Sequence, residues 1–258
     1  MLKIVANQFE ETINFFHTCK IGYEAATQER YREDPGFAYF WQCERDHELV
    51  LPILRYIDNK TLCLLSYTLS IGHCNALSKA CEFLDKLNVN KVIFDNCGID
   101  DEEFATILRG LHKLRDFKKI IYRYNAFDEM SMSALCPILH RRVPNHLEEL
   151  RIENCNISGE VLRELLADIN SKSYLRSLSL VNVNLNDDTF VGVLDLVRDS
   201  NLLEEIDISW SNLRSTSISA FLSLLTKNRK LETINLSWNR LFDPSEPDTD
   251  GKNLTEKA

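Results

Sequence analysis

Apolar residues recur in this chain with two interleaved periods. Six eleven-residue stretches share one pattern: VNKVIFDNCGI from Val89, FKKIIYRYNAF from Phe117, LEELRIENCNI from Leu147, LRSLSLVNVNL from Leu175, LEEIDISWSNL from Leu203 and LETINLSWNRL from Leu231. Their starts are spaced by 28, 30, 28, 28 and 28 residues. Within each stretch, positions four and six are apolar and flank an outward position, as in Leu178-Ser179-Leu180, which predicts a short strand with a period of two. A second stripe follows each strand. Phe104, Ile107, Leu108 and Leu111 fall at i, i+3, i+4 and i+7, and so do Met132/Leu135/Cys136/Leu139, Leu162/Leu165/Leu166/Ile169, Phe190/Val193/Leu194/Val197 and Ile218/Phe221/Leu222/Leu225. That is the core-facing stripe of an amphipathic helix. Strand, turn, helix and turn repeated at a fixed interval predict a solenoid, in which each unit packs only on its neighbours.

The ninth position carries Cys97, Asn125, Cys155, Val183, Ser211 and Asn239. A polar side chain there can bond turn backbone that would otherwise be buried and unpaired, and Val183 cannot. Pro137 lies inside a helical stripe, where a kink or a late helix start is expected. Upstream, Thr61 to Ile71 aligns as a degenerate repeat with Leu64 inward, followed by the stripe Leu77, Ala80, Cys81 and Leu84. Val50, Ile53, Leu54 and Ile57 give one more helical stripe, and Asp34-Pro35-Gly36 a turn. Val5, Phe9, Ile13 and Phe16 predict a first helix. The expected organisation is a helical N-terminal cap over 1–60, repeats over 61–241 and a polar tail over 242–258. No apolar stripe follows the last strand, so its edge is expected to be covered by the tail, by a longer parent chain or by a partner.

The phrase L-x-x-L-x-L-x-x-N/C-x-L, in six copies with matched helices, resembles the leucine-rich repeat, and the interval of about 28 residues resembles its ribonuclease-inhibitor class. The resemblance covers at least Leu62 to Leu241. It implies an α/β fold, a curved right-handed horseshoe segment with a parallel concave sheet and convex helices. Proteins of this kind include ribonuclease inhibitors, GTPase-activating proteins for Ran, actin pointed-end cappers, sensor regions of innate immune receptors and axonemal scaffolds.

Composition narrows the function. A net charge of −9 over 258 residues, with no basic run, argues against nucleic acid as the main partner. The start MLKIVANQFEET lacks a secretory signal, and no apolar stretch is long enough to span a bilayer, so a cytoplasmic protein is expected, cytoskeletal or axonemal by family resemblance. The eight cysteines lack metal-site spacing, and most fall on core positions, as expected of packed thiols. The Asn-x-Ser/Thr sequons at Asn59, Asn156, Asn235 and Asn253 have no secretory context. No phosphate loop or zinc-protease helix is present. Cys136 with His140, and His73-Cys74 at a helix start, are the remaining chemical pairs, and packed or turn residues explain both. No enzyme activity, cofactor or metal is expected.

The informative surface is the concave face, formed by positions five, seven and eight. Position five gives Arg151 and Asp207, position seven Arg123 and Glu153, and position eight Tyr124, Trp210 and Trp238. Trp210 and Trp238 belong to adjacent strands, about 4.8 Å apart, and serve either as binding anchors or as mutual packing that shields the end. Charge is sorted along the face, basic at Lys118, Lys119 and Arg123, acidic at Glu148, Glu149 and Glu153 and again at Glu204, Glu205, Asp207 and Glu232. The expected function is protein-protein interaction, as a scaffold subunit binding through this face or the uncovered edge. The second reading is a GTPase regulator resembling the Ran-activating class, from which the chain departs in lacking a long acidic C-terminal tract.

Overall fold

The computed structural model describes residues 34–240, apart from 85, 87 and 227 and the side chain of Asp187. The expected first helix and the tail over 242–258 lie outside the described residues.

The chain opens with helix α1, Pro35–Arg45. Asp34 accepts the backbone N–H of Phe37 at 2.9 Å and Pro35 occupies the first turn, so Asp-Pro-Gly starts a helix instead of making the expected turn. A second correction follows. Val50 to Ile57 is not a full helix: a single 3₁₀ turn spans Ile53–Tyr56, and Ile57–Asp58 forms strand β1, antiparallel to β2 (Thr61–Leu65). Asn59 and Lys60 both take left-handed backbone, φ +46° and +63°, which is the two-residue hairpin loop that fits strand twist. The hairpin overrides the helical spacing. It also moves the first repeat. Thr61 pairs with Lys91 and Leu62 with Val92, so the degenerate phrase starts at Asn59, two residues before the expected Thr61.

Seven units follow in register. After β2 come α2 (Ile71–Leu84), β3 (Lys91–Asp95), α3 (Asp101–Leu111), β4 (Lys119–Arg123), α4 (Glu129–Leu139), β5 (Glu149–Glu153), α5 (Gly159–Lys172), β6 (Ser177–Ser179), α6 (Asp187–Asp199), β7 (Glu205–Asp207), α7 (Ser215–Leu225) and β8 (Thr233–Asn235). The eight strands form one sheet in sequence order, parallel from β2 onward. Equivalent positions pair without shift, so core side chains stack in columns. Position four stacks Leu62, Val92, Ile120, Leu150, Leu178 and Ile206, and position six stacks Leu64, Phe94, Tyr122, Ile152, Leu180 and Ile208, all buried. Their last members, Ile234 and Leu236, are only half-buried. The architecture is an α/β repeat of leucine-rich type.

Each helix from α2 to α7 starts two residues after the eleventh position of its phrase. Asp100, Ser158 and Asn186 cap α3, α5 and α6 by accepting N–H groups of Glu103, Val161 and Thr189. Helix α4 is capped from outside. Its own N-cap, Asp128, makes no capping bond, while Asp101 of α3 accepts from the N–H groups of Asp128 (2.7 Å), Met130 (2.9 Å) and Ser131 (3.0 Å). Pro137 does not delay α4: the helix begins in register and ends two residues beyond the proline. The proline therefore lies in the last turn on the exposed face, where one bond is lost. The two extra residues of that repeat fall in the loop that follows α4.

Position nine locks the turns. Asn125 Oδ1 accepts from the N–H of Cys97 (2.9 Å) and Ile99 (3.2 Å), and its Nδ2 donates to the carbonyls of Phe94 (3.3 Å) and Arg123 (2.7 Å). Asn239 repeats three of these bonds on Ser211, Leu213 and Ile208, and its fourth goes to the carbonyl of Leu236, one residue earlier than the equivalent of Arg123. Cys97, Cys155 and Ser211 donate to two carbonyls each.

Candidate functional site

The residue that ends each strand, position eight, adopts left-handed backbone in all seven units. Ser66, Asn96, Tyr124, Asn154, Asn182, Trp210 and Trp238 have φ between +51° and +61°. The turn requires it: the N–H of each of the first six donates to the position-seven carbonyl of the following repeat, from Ser66 on Asp95 (2.8 Å) to Trp210 on Ser237 (3.0 Å). Asparagine adopts this conformation readily. Tyrosine and tryptophan do not, at a cost of about 1–2 kcal/mol each. Aromatic residues at three of these positions are therefore disfavoured by the backbone. Strain of this kind persists where the surroundings or a function hold it.

Trp210 and Trp238 are stacked, with ring centroids 4.7 Å apart and planes inclined by 15°. Both remain open to solvent, at 53% and 72% exposure. The rings thus pack on each other and still present a large apolar surface. Tyr124, also exposed, stands three strands from Trp210, about 14 Å away at ordinary strand spacing. It is not part of the same cluster.

The charged positions behave differently, because the strand register sets Lys119 and Arg123 against acids of the next repeat, while Arg151 pairs within its own strand and reaches two strands on. Lys119 lies 2.9 Å from Glu149, Arg123 2.7 Å from Glu153, and Arg151 2.5 Å from Glu149 and 3.8 Å from Glu205. Ser179 donates to Glu153 at 2.8 Å. Glu153 is buried at 9% exposure, although its strand position points away from the core. The sorted charge seen along the sequence is thus largely neutralised within the sheet. Burial alone would raise the Glu149 carboxyl, but hydrogen bonds from Lys119 and Arg151 hold it below its ordinary range. Asp207 is the exception. It accepts from Ser209 Oγ (2.7 Å) and Asn235 Nδ2 (2.9 Å), and among the described residues no cation lies within ion-pair distance.

Of the seven candidates, the structure stacks Trp210 on Trp238 and places Asp207 in the same pair of repeats, bonded to Ser209 next to Trp210. It leaves Tyr124 apart and ties Arg123, Arg151 and Glu153 into the internal network. Beside the exposed side of Trp210 is a recess of about 220 Å³, lined by Asn156, Asn182, Val183, Asn184 and Asn212 among others. Sequence reasoning missed these asparagines. The signal was present: position ten is asparagine in three consecutive repeats.

The remaining chemical pairs are accounted for by packing. Burial, reinforced by Asp168, pushes the Cys136 thiol up to about 12, and His140 bonds Asp168 at 3.1 Å rather than the thiol. Burial likewise raises the Cys74 thiol, while His73 binds the carbonyl of Leu49 at 2.7 Å and Ser70 Oγ at 2.8 Å. Among the described residues no group of three or more His, Cys, Asp or Glu side chains could hold a metal, and no helix is long and apolar enough to cross a membrane.

No family model and no curated protein matches the sequence. Comparison with solved structures does find the fold. Leiomodin-1 Actin-Binding Site 2 aligns with a TM-score of 0.50 at 14% identity, over 62% of this chain and 91% of that one. At that identity the likeness concerns the fold alone.

Proposed function

We propose that this chain is a non-enzymatic protein-interaction module of the ribonuclease-inhibitor-like repeat class. In this reading the sheet lines the inner side of a curved right-handed solenoid and presents the strand-exit row to a protein partner. The observation that carries it is the stacked, exposed pair of Trp210 and Trp238 at backbone positions that disfavour tryptophan. Exposed aromatic pairs of this size are typical anchors of binding hot spots. Among the described residues no strand pairs with the outer edge of β8, and half-buried Ile234 and Leu236 extend the same surface.

The structural neighbour is named for an actin-binding site, which makes actin the first defined partner to assay and supports a cytoskeletal setting over a GTPase-regulating one. The direct test is capture of partners from native cells by tagged wild-type chain and by Trp210→Ser/Trp238→Ser. Partners held by the wild type should be lost from the double variant, while its circular dichroism stays unchanged. Retention of all partners, or unfolding of the variant, would overturn the reading.

A further inference from the structure

The recess beside Trp210 has the chemistry of a receptor for one particular side chain. Its floor is Val183, which breaks the series of polar ninth positions and leaves an apolar base, buried at 2% exposure. One wall is the ring of Trp210. Trp238 stacks on that ring, and Trp210 lines the recess. The remaining walls are the amides of Asn156, Asn182, Asn184 and Asn212. Asn182 donates through Nδ2 to Asn154 Oδ1 at 2.9 Å, which leaves its carbonyl oxygen as the accepting end. The side chains of Asn156, Asn184 and Asn212 make no hydrogen bond among the described residues.

Size excludes most ligands. Small-molecule pockets run to roughly 300–1,000 Å³, and about 220 Å³ falls below that range. One long side chain fits. The occupant should be flat enough to stack on indole, rich in donors to match several amide oxygens, and positively charged. The charge follows from Asp207 alone: Glu205 is already opposed by Arg151 at 3.8 Å, whereas Asp207 has no cation within ion-pair distance among the described residues and accepts from the N–H (3.0 Å) and Oγ (2.7 Å) of Ser209, the neighbour of Trp210. Arginine meets all three requirements, with a planar guanidinium, five donors in a fixed fork and a cation that stacks on tryptophan. Lysine shares the charge but lacks the plane and the fork.

We infer that the recess receives the guanidinium of an arginine from a basic segment of a protein partner, stacked on Trp210, with the asparagine oxygens accepting its N–H groups and Asp207 supplying the opposite charge. This rests on the protein-interaction reading and names the partner's chemistry.

The test uses the three tryptophans as reporters. The full chain, labelled with nitrogen-15, is titrated with N-acetyl-arginine amide, and the indole N–H signals of Trp41, Trp210 and Trp238 are followed. The same titration is run with N-acetyl-lysine amide, N-acetyl-citrulline amide and methyl glucoside. Trp210 and Trp238 should shift with the arginine amide and Trp41 should not. The lysine and citrulline amides should bind at least about five-fold more weakly, the scale of one lost cation–π or charge contact. Asp207→Asn should weaken the response and Arg240→Ala, which removes a like charge from the equivalent position one repeat beyond Asn212, should strengthen it. Unmoved signals, an equal response to lysine, or a response to the glucoside would each overturn the assignment. If these signals stay still while Trp210→Ser/Trp238→Ser still loses cellular partners, the arginine site fails and the interaction reading stands.

Discussion

Replacing Asn125 by alanine isolates the contribution of a single position-nine side chain. Asn125 makes four hydrogen bonds to backbone from a buried site. Alanine removes all four and leaves the N–H groups of Cys97 and Ile99 without that acceptor. Each buried group left unpaired costs about 1–3 kcal/mol, and relaxation recovers part of it. Arg123 O is also bonded by the N–H of Asn96, which lowers its share. A total of about 3 kcal/mol is expected, a large fraction of the roughly 5–15 kcal/mol that folded domains have. For a chain of this size that lowers the melting temperature by roughly 6–12 °C. Two measurements check it. Thermal unfolding gives the total, and amide hydrogen exchange gives the location, with Cys97 and Ile99 losing protection by at least about ten-fold while Ile208 and Leu213 keep theirs. Asn239→Ala should cost less, because its site is half-buried and water can reach the freed groups. A loss below about 1 kcal/mol for Asn125→Ala, or protection lost evenly across the repeats, would refute the locking role.

Other consequences follow from the same geometry. Asp101→Ala should destabilise by about 1–2 kcal/mol in urea unfolding, and by more than Asp128→Ala, because Asp101 caps α4 and Asp128 does not. Hydrogen bonds overcome burial to hold the carboxyls of Asp101 and Glu149 below their ordinary range. Their folded values lie below the unfolded ones, so the stability they add is present above the carboxylate range and is lost as pH falls below about 4. Glu149→Gln should flatten the acid limb of the stability profile measured by thermal melts. Alkylation of native protein at pH 8 should reach half-buried Cys63 well before Cys81 or Cys155, which burial holds up at about 12 and about 11, and peptide mapping after brief iodoacetamide treatment checks the order. If Trp210→Ser/Trp238→Ser lowers the melting temperature by more than about 4 °C, the rings are chiefly structural, since loss of one exposed aromatic stack should cost only about 1 kcal/mol.

The sequence by itself determined the repeat. Apolar positions four and six, the eleventh residue and the following helical stripe recur at a fixed interval, and each unit needs only its neighbours to bury them, so local pattern and tertiary packing agree from Val89 onward. The prediction failed where a local device competed with the period. Left-handed Asn59 and Lys60 turned an expected helix into a hairpin and moved the first phrase, and Asp34 with Pro35 opened a helix where a turn was expected. Tertiary structure decided what the exposed positions do. Unshifted strand register set Lys119 and Arg123 against Glu149 and Glu153, so residues read as partner contacts also form an internal network. The same register stacked Trp210 on Trp238, left Asp207 without a cation among the described residues and gathered asparagines from three repeats around Val183. Burial follows from one residue's place in a period, whereas pairing and recesses depend on which residues of different repeats meet across a strand spacing, which the period alone does not specify.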